Sequence, residues 1–113
     1  MTKLEQLDLK HSLISDLSPN GLNPWLGLTN LEIVDLQYNL ITDISPFAGM
    51  VMDPRNYFRP FLSYNPIVDL APLLFINGLY QVSLYGVTVT PEGSEVVFKL
   101  RSSGVRVIGW PYP

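Results

Sequence analysis

The side chains most used in acid–base and nucleophilic chemistry are few: one histidine, ten carboxylates and no cysteine in 113 residues. His11 stands near Asp8, Ser12, Ser15 and Asp16, the residue types of a nucleophilic triad. A triad requires serine, imidazole and carboxylate to converge. Here the spacing places Asp8 and His11 on a strand face and Ser15 and Asp16 beyond a turn, so His11 reads as a solvated turn residue. Asp8 and Asp35 occupy equivalent places on segments expected to lie side by side, about 4.8 Å apart. Two carboxylates so placed can serve as acid and base, or grip a cation. The column stops after two, because Phe61 and Ser83 take the next equivalent places. A solvated pair on an exposed face is therefore the expected reading, with an acid–base hydrolase using Asp8 and Asp35 the enzymatic alternative. Asp16, Asp43 and Asp69 form a second column, which local backbone hydrogen bonding explains. With no phosphate loop, zinc spacing or cysteine pair, no cofactor and no metal is expected.

Charged residues are 15% of the chain, against about 25% in ordinary soluble domains. The net charge of −3 argues against a nucleic-acid partner bound by phosphate neutralisation. Acidic residues stand where a signal peptide carries its apolar stretch, so no secretion signal is expected, and the compartment stays open. Leu70 to Pro91 contains no charge over 22 positions, long enough to span a bilayer. Pro72, Asn77, Gly78, Gln81, Ser83 and Gly86 interrupt it. Val82, Leu84, Val87 and Val89 are spaced like buried positions of a short strand and its turn, so no membrane span is expected.

Internal repetition determines which elements position these groups. Leu4-Glu5-Gln6-Leu7-Asp8-Leu9 precedes Ile14-Ser15-Asp16-Leu17-Ser18-Pro19. Leu31-Glu32-Ile33-Val34-Asp35-Leu36 precedes Asn39 and Ile41-Thr42-Asp43-Ile44-Ser45-Pro46. A third copy keeps Leu62, Asn65, Ile67-Val68-Asp69-Leu70 and Pro72; a fourth keeps Leu79, Val82, Leu84, Val87 and Val89. Leu7 and Leu9 alternate with Asp8, and Val34 and Leu36 with Asp35, the period of a short strand with one face inside. Asn39 and Asn65 follow the strand leucine by three positions, where an amide can bond backbone groups of its own coil and the next. Ser18-Pro19 and Ser45-Pro46 read as N-cap and first position of short helical turns. One such coil cannot bury its apolar face; stacked coils form a continuous core.

These motifs resemble leucine-rich repeats of the roughly 22-residue class, as in bacterial internalin-type proteins and phosphatase-regulatory subunits. The run from Leu28 to Gly49 carries the resemblance most fully, and Leu100 to Val107 is similar to the closing strand of small bacterial repeat domains. The resemblance implies an α/β solenoid, right-handed, with a short curved parallel sheet, short 3₁₀ or helical turns outside and a C-terminal helix–strand cap. A single domain over 1–113 is expected, with coils at about 1–27, 28–53, 54–75 and 76–90 and the cap at 91–113.

The strand leucines are 27, 26 and 22 residues apart, so two coils carry insertions. The first, residues 20–27, reads as a loop, and Asn23→Ala within it is expected to be near neutral. Ser12 stands at the asparagine position of the first coil. Pro60 stands where the second coil has Val34 and removes a ladder donor, so the third strand is expected to be shifted or bulged. Pro91 to Arg101 predicts a helix with its apolar face at Val96, Val97 and Leu100, stopped by Gly104. Val105, Val107 and Trp110 then close the sheet. Lys99, Arg101 and Arg106 make this end basic, which a solvated helix end explains.

Carried by offset, the outward strand positions include Gln6, Asp8, Lys10, His11, Ile33, Asp35, Gln37, Tyr38, Arg59, Phe61, Ser63, Tyr64, Gln81, Ser83 and Tyr85. Solubility asks only for polar residues there, yet the set is rich in aromatics with arginine, the composition of interaction hot spots. The expected function is non-enzymatic protein binding through this concave face by Asp8, Lys10, Ile33, Asp35, Gln37, Tyr38, Arg59, Phe61, Tyr64 and Tyr85. The structural alternative is a terminal segment of a longer repeat array. Leu4, Leu7, Leu9, Ile14 and Leu17 would have a neighbouring coil on one side only, so self-association or upstream repeats are expected at that end.

Overall fold

The computed structural model describes residues 5–18 and 23–111. The turn expected at Ser18-Pro19 and the residues before Glu5 lie outside or at the edge of that range. Three-residue strands form wherever the alternating pattern occurs: β1 (Gln6–Asp8), β2 (Ile33–Asp35), β3 (Arg59–Phe61), β4 (Gln81–Ser83) and β5 (Arg106–Ile108). They make one parallel sheet in chain order. Short 3₁₀ turns at Pro24–Gly27, Ser45–Phe47, Pro54–Asn56 and Ala71–Phe75 return the chain between strands. The helix α1 (Pro91–Ser102) and β5 close the C-terminal end. The expected solenoid is the architecture observed.

The strand leucines Leu36, Leu62 and Leu84 are fully buried, with Val34, Ile41, Ile44, Phe47 and Phe58 beside them. The two asparagines act as the spacing implied. Asn39 Oδ1 accepts the Ser12 and Ile14 N–H groups at 2.9 and 3.0 Å, and its Nδ2 donates to the Leu9 and Leu36 carbonyls, both at 2.9 Å. Asn65 repeats the arrangement one coil on, accepting from Ile41 N–H and donating to Leu36 and Leu62. Each amide thus satisfies backbone groups that a short strand leaves unpaired at its end.

Several expectations need correction. β3 is neither shifted nor bulged: Val34 pairs with Pro60 and Asp35 with Phe61, in register. The Arg59 N–H bonds back to Glu32 and the Leu62 N–H forward to Ser83, so the donor that Pro60 lacks faced β4. The loss shows there, where only Phe61 and Ser83 pair. Ser45 does not cap its turn; Asp43 does, accepting the Ser45 N–H at 2.8 Å. Asp16 and Asp69 do the same for Ser18 and Ala71, each at 2.8 Å, which is the local bonding expected of that column. Val89, spaced like a buried residue, is 45% exposed. The first insertion contains an ordered turn rather than only loop: Trp25 is buried and its indole donates to the Leu17 carbonyl. Asn23 accepts from Trp25 N–H and donates to the Pro46 carbonyl at 2.8 Å. Asn23→Ala is therefore expected to cost about 1 kcal/mol in urea melts, as for a lost helix cap. A neutral result would show that the Pro46 contact contributes nothing.

The turn into β4 passes through Gly78, whose φ is +93° and whose Cβ position would lie 2.5 Å from the Met52 carbonyl oxygen. Only glycine permits both. No helix among the described residues is long and apolar enough to cross a membrane. The uncharged run expected to avoid the bilayer is spent on a 3₁₀ turn, β4 and the turn after it.

Asp53 carries the largest acid shift. The Arg55 guanidinium meets its carboxylate at 2.8 and 3.1 Å and the Arg55 N–H adds a third bond, which together hold its pKa down at about 2. A pKa depressed by folding stabilises the fold above the unfolded value, near 4, and that stabilisation is lost as the pH falls towards 2. A carboxyl-shift titration is expected to give a midpoint near 2, and Arg55→Ala to raise it. An unchanged midpoint in the variant would assign the shift to the backbone bond alone.

Candidate protein-binding face

Parallel pairing in register turns the outward offsets into columns. Gln6, Ile33, Arg59, Gln81 and Arg106 form one; Asp8, Asp35, Phe61, Ser83 and Ile108 form the next. The intervening Val34, Pro60, Val82 and Val107 are buried, which fixes these columns on the face turned from the core. Beyond the strands follow Lys10, Gln37, Ser63 and Tyr85, then His11, Tyr38, Tyr64 and Gly86.

Asp8 and Asp35 are brought together, with a lysine between them. Lys10 Nζ lies between them, 3.0 Å from Asp8 and 3.2 Å from Asp35. The Lys10 ammonium, then its N–H, hold the Asp8 carboxyl below the usual range, and the Lys10 ammonium is pushed up in return. Asp35 also accepts the Gln37 N–H and side-chain amide. A general acid must hold a proton near neutral pH, and the Lys10 contacts favour the ionised form of Asp8. Lys10→Ala is expected to raise the Asp8 midpoint in a carboxyl titration; a fixed midpoint would place the Lys10 contact in solvent. A cleft of about 210 Å³ opens beside the pair, lined by Gln6, Leu7, Asp8, Ile33 and Asp35. No group of three or more histidine or acidic residues able to hold a metal occurs among the described residues.

His11 makes no triad. Its ring stacks on Tyr38 with centroids 4.6 Å apart and planes 9° from parallel, and Tyr38 stacks on Tyr64 at 4.6 Å and 7°. All three have left-handed backbone, with φ of 56°, 59° and 61°, and Gly86 continues the column at 72°. A Cβ on Gly86 would stand 2.6 Å from the Tyr64 ring, so the glycine backbone lies against the last ring. In the sequence His11, Tyr38 and Tyr64 share one offset, which does not by itself show that their rings stack. The signal was present: aromatic, aromatic, aromatic, glycine, each two residues after a strand leucine. The repeated turn fixes one φ in every coil, and rings at one offset on coils about 4.8 Å apart lie near stacking distance.

Of the positions expected to face outward, Tyr38, Tyr64 and Tyr85 are exposed and Ile33, Asp35, Gln37, Arg59 and Phe61 half-buried. Asp8 and Lys10 are exposed, and Arg59 pairs with Glu32 at 3.3 Å. Ser63 and Ser83 depart from expectation: both are buried, their hydroxyls 2.6 Å apart, and Ser63 Oγ accepts the Tyr85 N–H. A short side chain at an outward offset sinks beneath larger neighbours, and the mutual bond satisfies both hydroxyls. Arg101 is not merely a solvated helix end. It donates to the Val107 and Trp110 carbonyls at 3.0 and 2.8 Å and ties α1 to the strand beyond it.

Residues 2–49 match the family model for leucine-rich repeats in two copies. No curated protein and no solved structure matches the chain.

Proposed function

We propose that this repeat domain is a non-enzymatic protein-interaction module that binds through the outward, concave face of its sheet. Leucine-rich repeats are in general protein-interaction modules, and the family match over residues 2–49 supports that much here. The observation that carries the face assignment is the exposed tyrosine column, flanked by Ile33 and Phe61, where solubility asks only for polar side chains. Asp8, Lys10, Asp35, Gln37, Arg59 and Tyr85 complete the proposed contact set. The finer likeness to the roughly 22-residue internalin-type class belongs to the same proposal; it rests on the Asn39 and Asn65 bonding and the Asp-capped turns.

Tyr38→Ala and Tyr64→Ala are expected to weaken capture of a partner at least tenfold while shifting the melting temperature only a few degrees. Lys99→Glu, on the exposed face of α1, is the control and is expected to change neither. Arg101 is unsuitable as a control because of its bonds to the cap. Capture lost in the Lys99 variant and kept in both tyrosine variants would remove the sheet face from consideration.

A second reading is favoured at the β1 edge. Leu7, Leu9 and Ile14 are half-buried, while their equivalents Val34, Leu36 and Ile41 are fully buried. Two copies associating through this edge would cover the difference, and sedimentation at rising concentration tests it: a monomer throughout refutes association.

A further inference from the structure

The charges on the sheet face are sorted along the solenoid. Glu5, Asp8, Glu32 and Asp35 belong to the first two coils, where Lys10 is the one opposing charge among the described residues of those coils. The strands β3, β4 and β5 and the residues flanking them carry Arg59 and Arg106 and no carboxylate. Arg59 reaches back to Glu32. Arg106 is exposed and has no ion pair among the described residues. At the other end one ammonium between two carboxylates leaves a negative charge uncompensated. Four strand spacings separate β1 from β5, about 19 Å, more than twice the screening length of about 8 Å at physiological salt. The two ends therefore present separate potentials of opposite sign, with Ile33, Phe61 and Tyr85 between them.

We propose, on the basis of the sheet-face reading above, that this face receives an extended protein segment of about six residues that crosses the strands. The segment is basic where it meets β1 and β2, apolar in the middle and acidic where it meets β5. Six extended residues span about 20 Å, the separation of the charged ends. Three-residue strands make the strip only about 10 Å tall, as broad as one helix with its side chains. An extended chain lies within such a strip, whereas a helix would fill it edge to edge. Charge of this arrangement fixes the direction of the bound segment and rejects the reversed one, because like charges would then meet at both ends.

A library of random twelve-residue peptides displayed on phage, selected against the full chain, tests this directly. The selected pool is expected to carry a basic and an acidic residue five or six positions apart, with an apolar residue between. Binding of that pool is expected to fall at least tenfold in Asp8→Lys and in Arg106→Glu, both exposed sites whose variants should keep the parent melting temperature. It should fall also in Phe61→Ala and Tyr85→Ala. A pool with no charge pattern, sensitive to Phe61 and Tyr85 but not to the charge variants, overturns the polarity and leaves the sheet face as the binding surface. A pool insensitive to all four variants overturns both. Failure to select any peptide overturns the extended-segment proposal.

Discussion

Asn39→Ala is expected to destabilise the chain by about 2–4 kcal/mol in urea melts. The side chain makes two hydrogen bonds through Oδ1 and two short ones through Nδ2, and it is 5% exposed. Alanine leaves the Ser12 and Ile14 N–H groups and the Leu9 and Leu36 carbonyls without their partner. A buried group so orphaned costs about 1–3 kcal/mol, and partial access of water to the first coil keeps the total below the sum. The bonds run to two coils at once, so the loss falls on the junction between them. Asn39→Asp separates the two halves of the role, because a carboxylate still accepts but cannot donate to the two carbonyls, and it adds a buried charge. It is expected to be no better tolerated than alanine. A cost near that of Asn23→Ala would mean that the asparagine does not join the coils.

This junction was readable from the sequence because its cause is local and repeated. An asparagine at one offset in two copies, with strand alternation before it, leaves little else for its amide to do. The same holds for the Asp column, where a carboxylate two residues before a free N–H recurs in the first three coils. Features that depend on neighbours from other coils were less legible. Ser63 and Ser83 share the outward parity of their strands, and only the bulk of surrounding side chains determines that they sink. Lys10 was visible as an outward residue, but its placement between Asp8 and Asp35 requires knowing that the first two coils are in strict register. Pro60 was read for the donor it lacks, without knowing which neighbour that donor would face. The aromatic stack fell between these cases: its offset was evident, while the left-handed backbone that aligns the rings was not.

The first two coils are also joined on the far side from the strands, through Phe47. This residue ends the 3₁₀ turn Ser45–Phe47, is fully buried, and meets the Trp25 ring edge-on at 5.1 Å and 86°. Phe47→Ala is expected to cost about 3–5 kcal/mol, the transfer free energy of the ring plus the cavity it leaves. For a chain of this length total stability is on the order of 6–17 kcal/mol, so the variant loses a large share of it. Phe98→Ala provides the contrast: that ring is 71% exposed on α1, and its removal is expected to change stability by about 0.5 kcal/mol or less. The solenoid makes the position of the damage measurable as well as its size. Each coil touches only its neighbours, so a cavity between the first and second coils weakens that interface before any other. In hydrogen exchange of the Phe47 variant, the Leu9 and His11 amides, which bond across to β2 and the residues after it, should lose protection more than Leu84 or Arg106 at the β4–β5 end. Equal loss along the whole sheet would show that the chain opens as one unit, and that the Trp25–Phe47 contact does not hold the first coil in place.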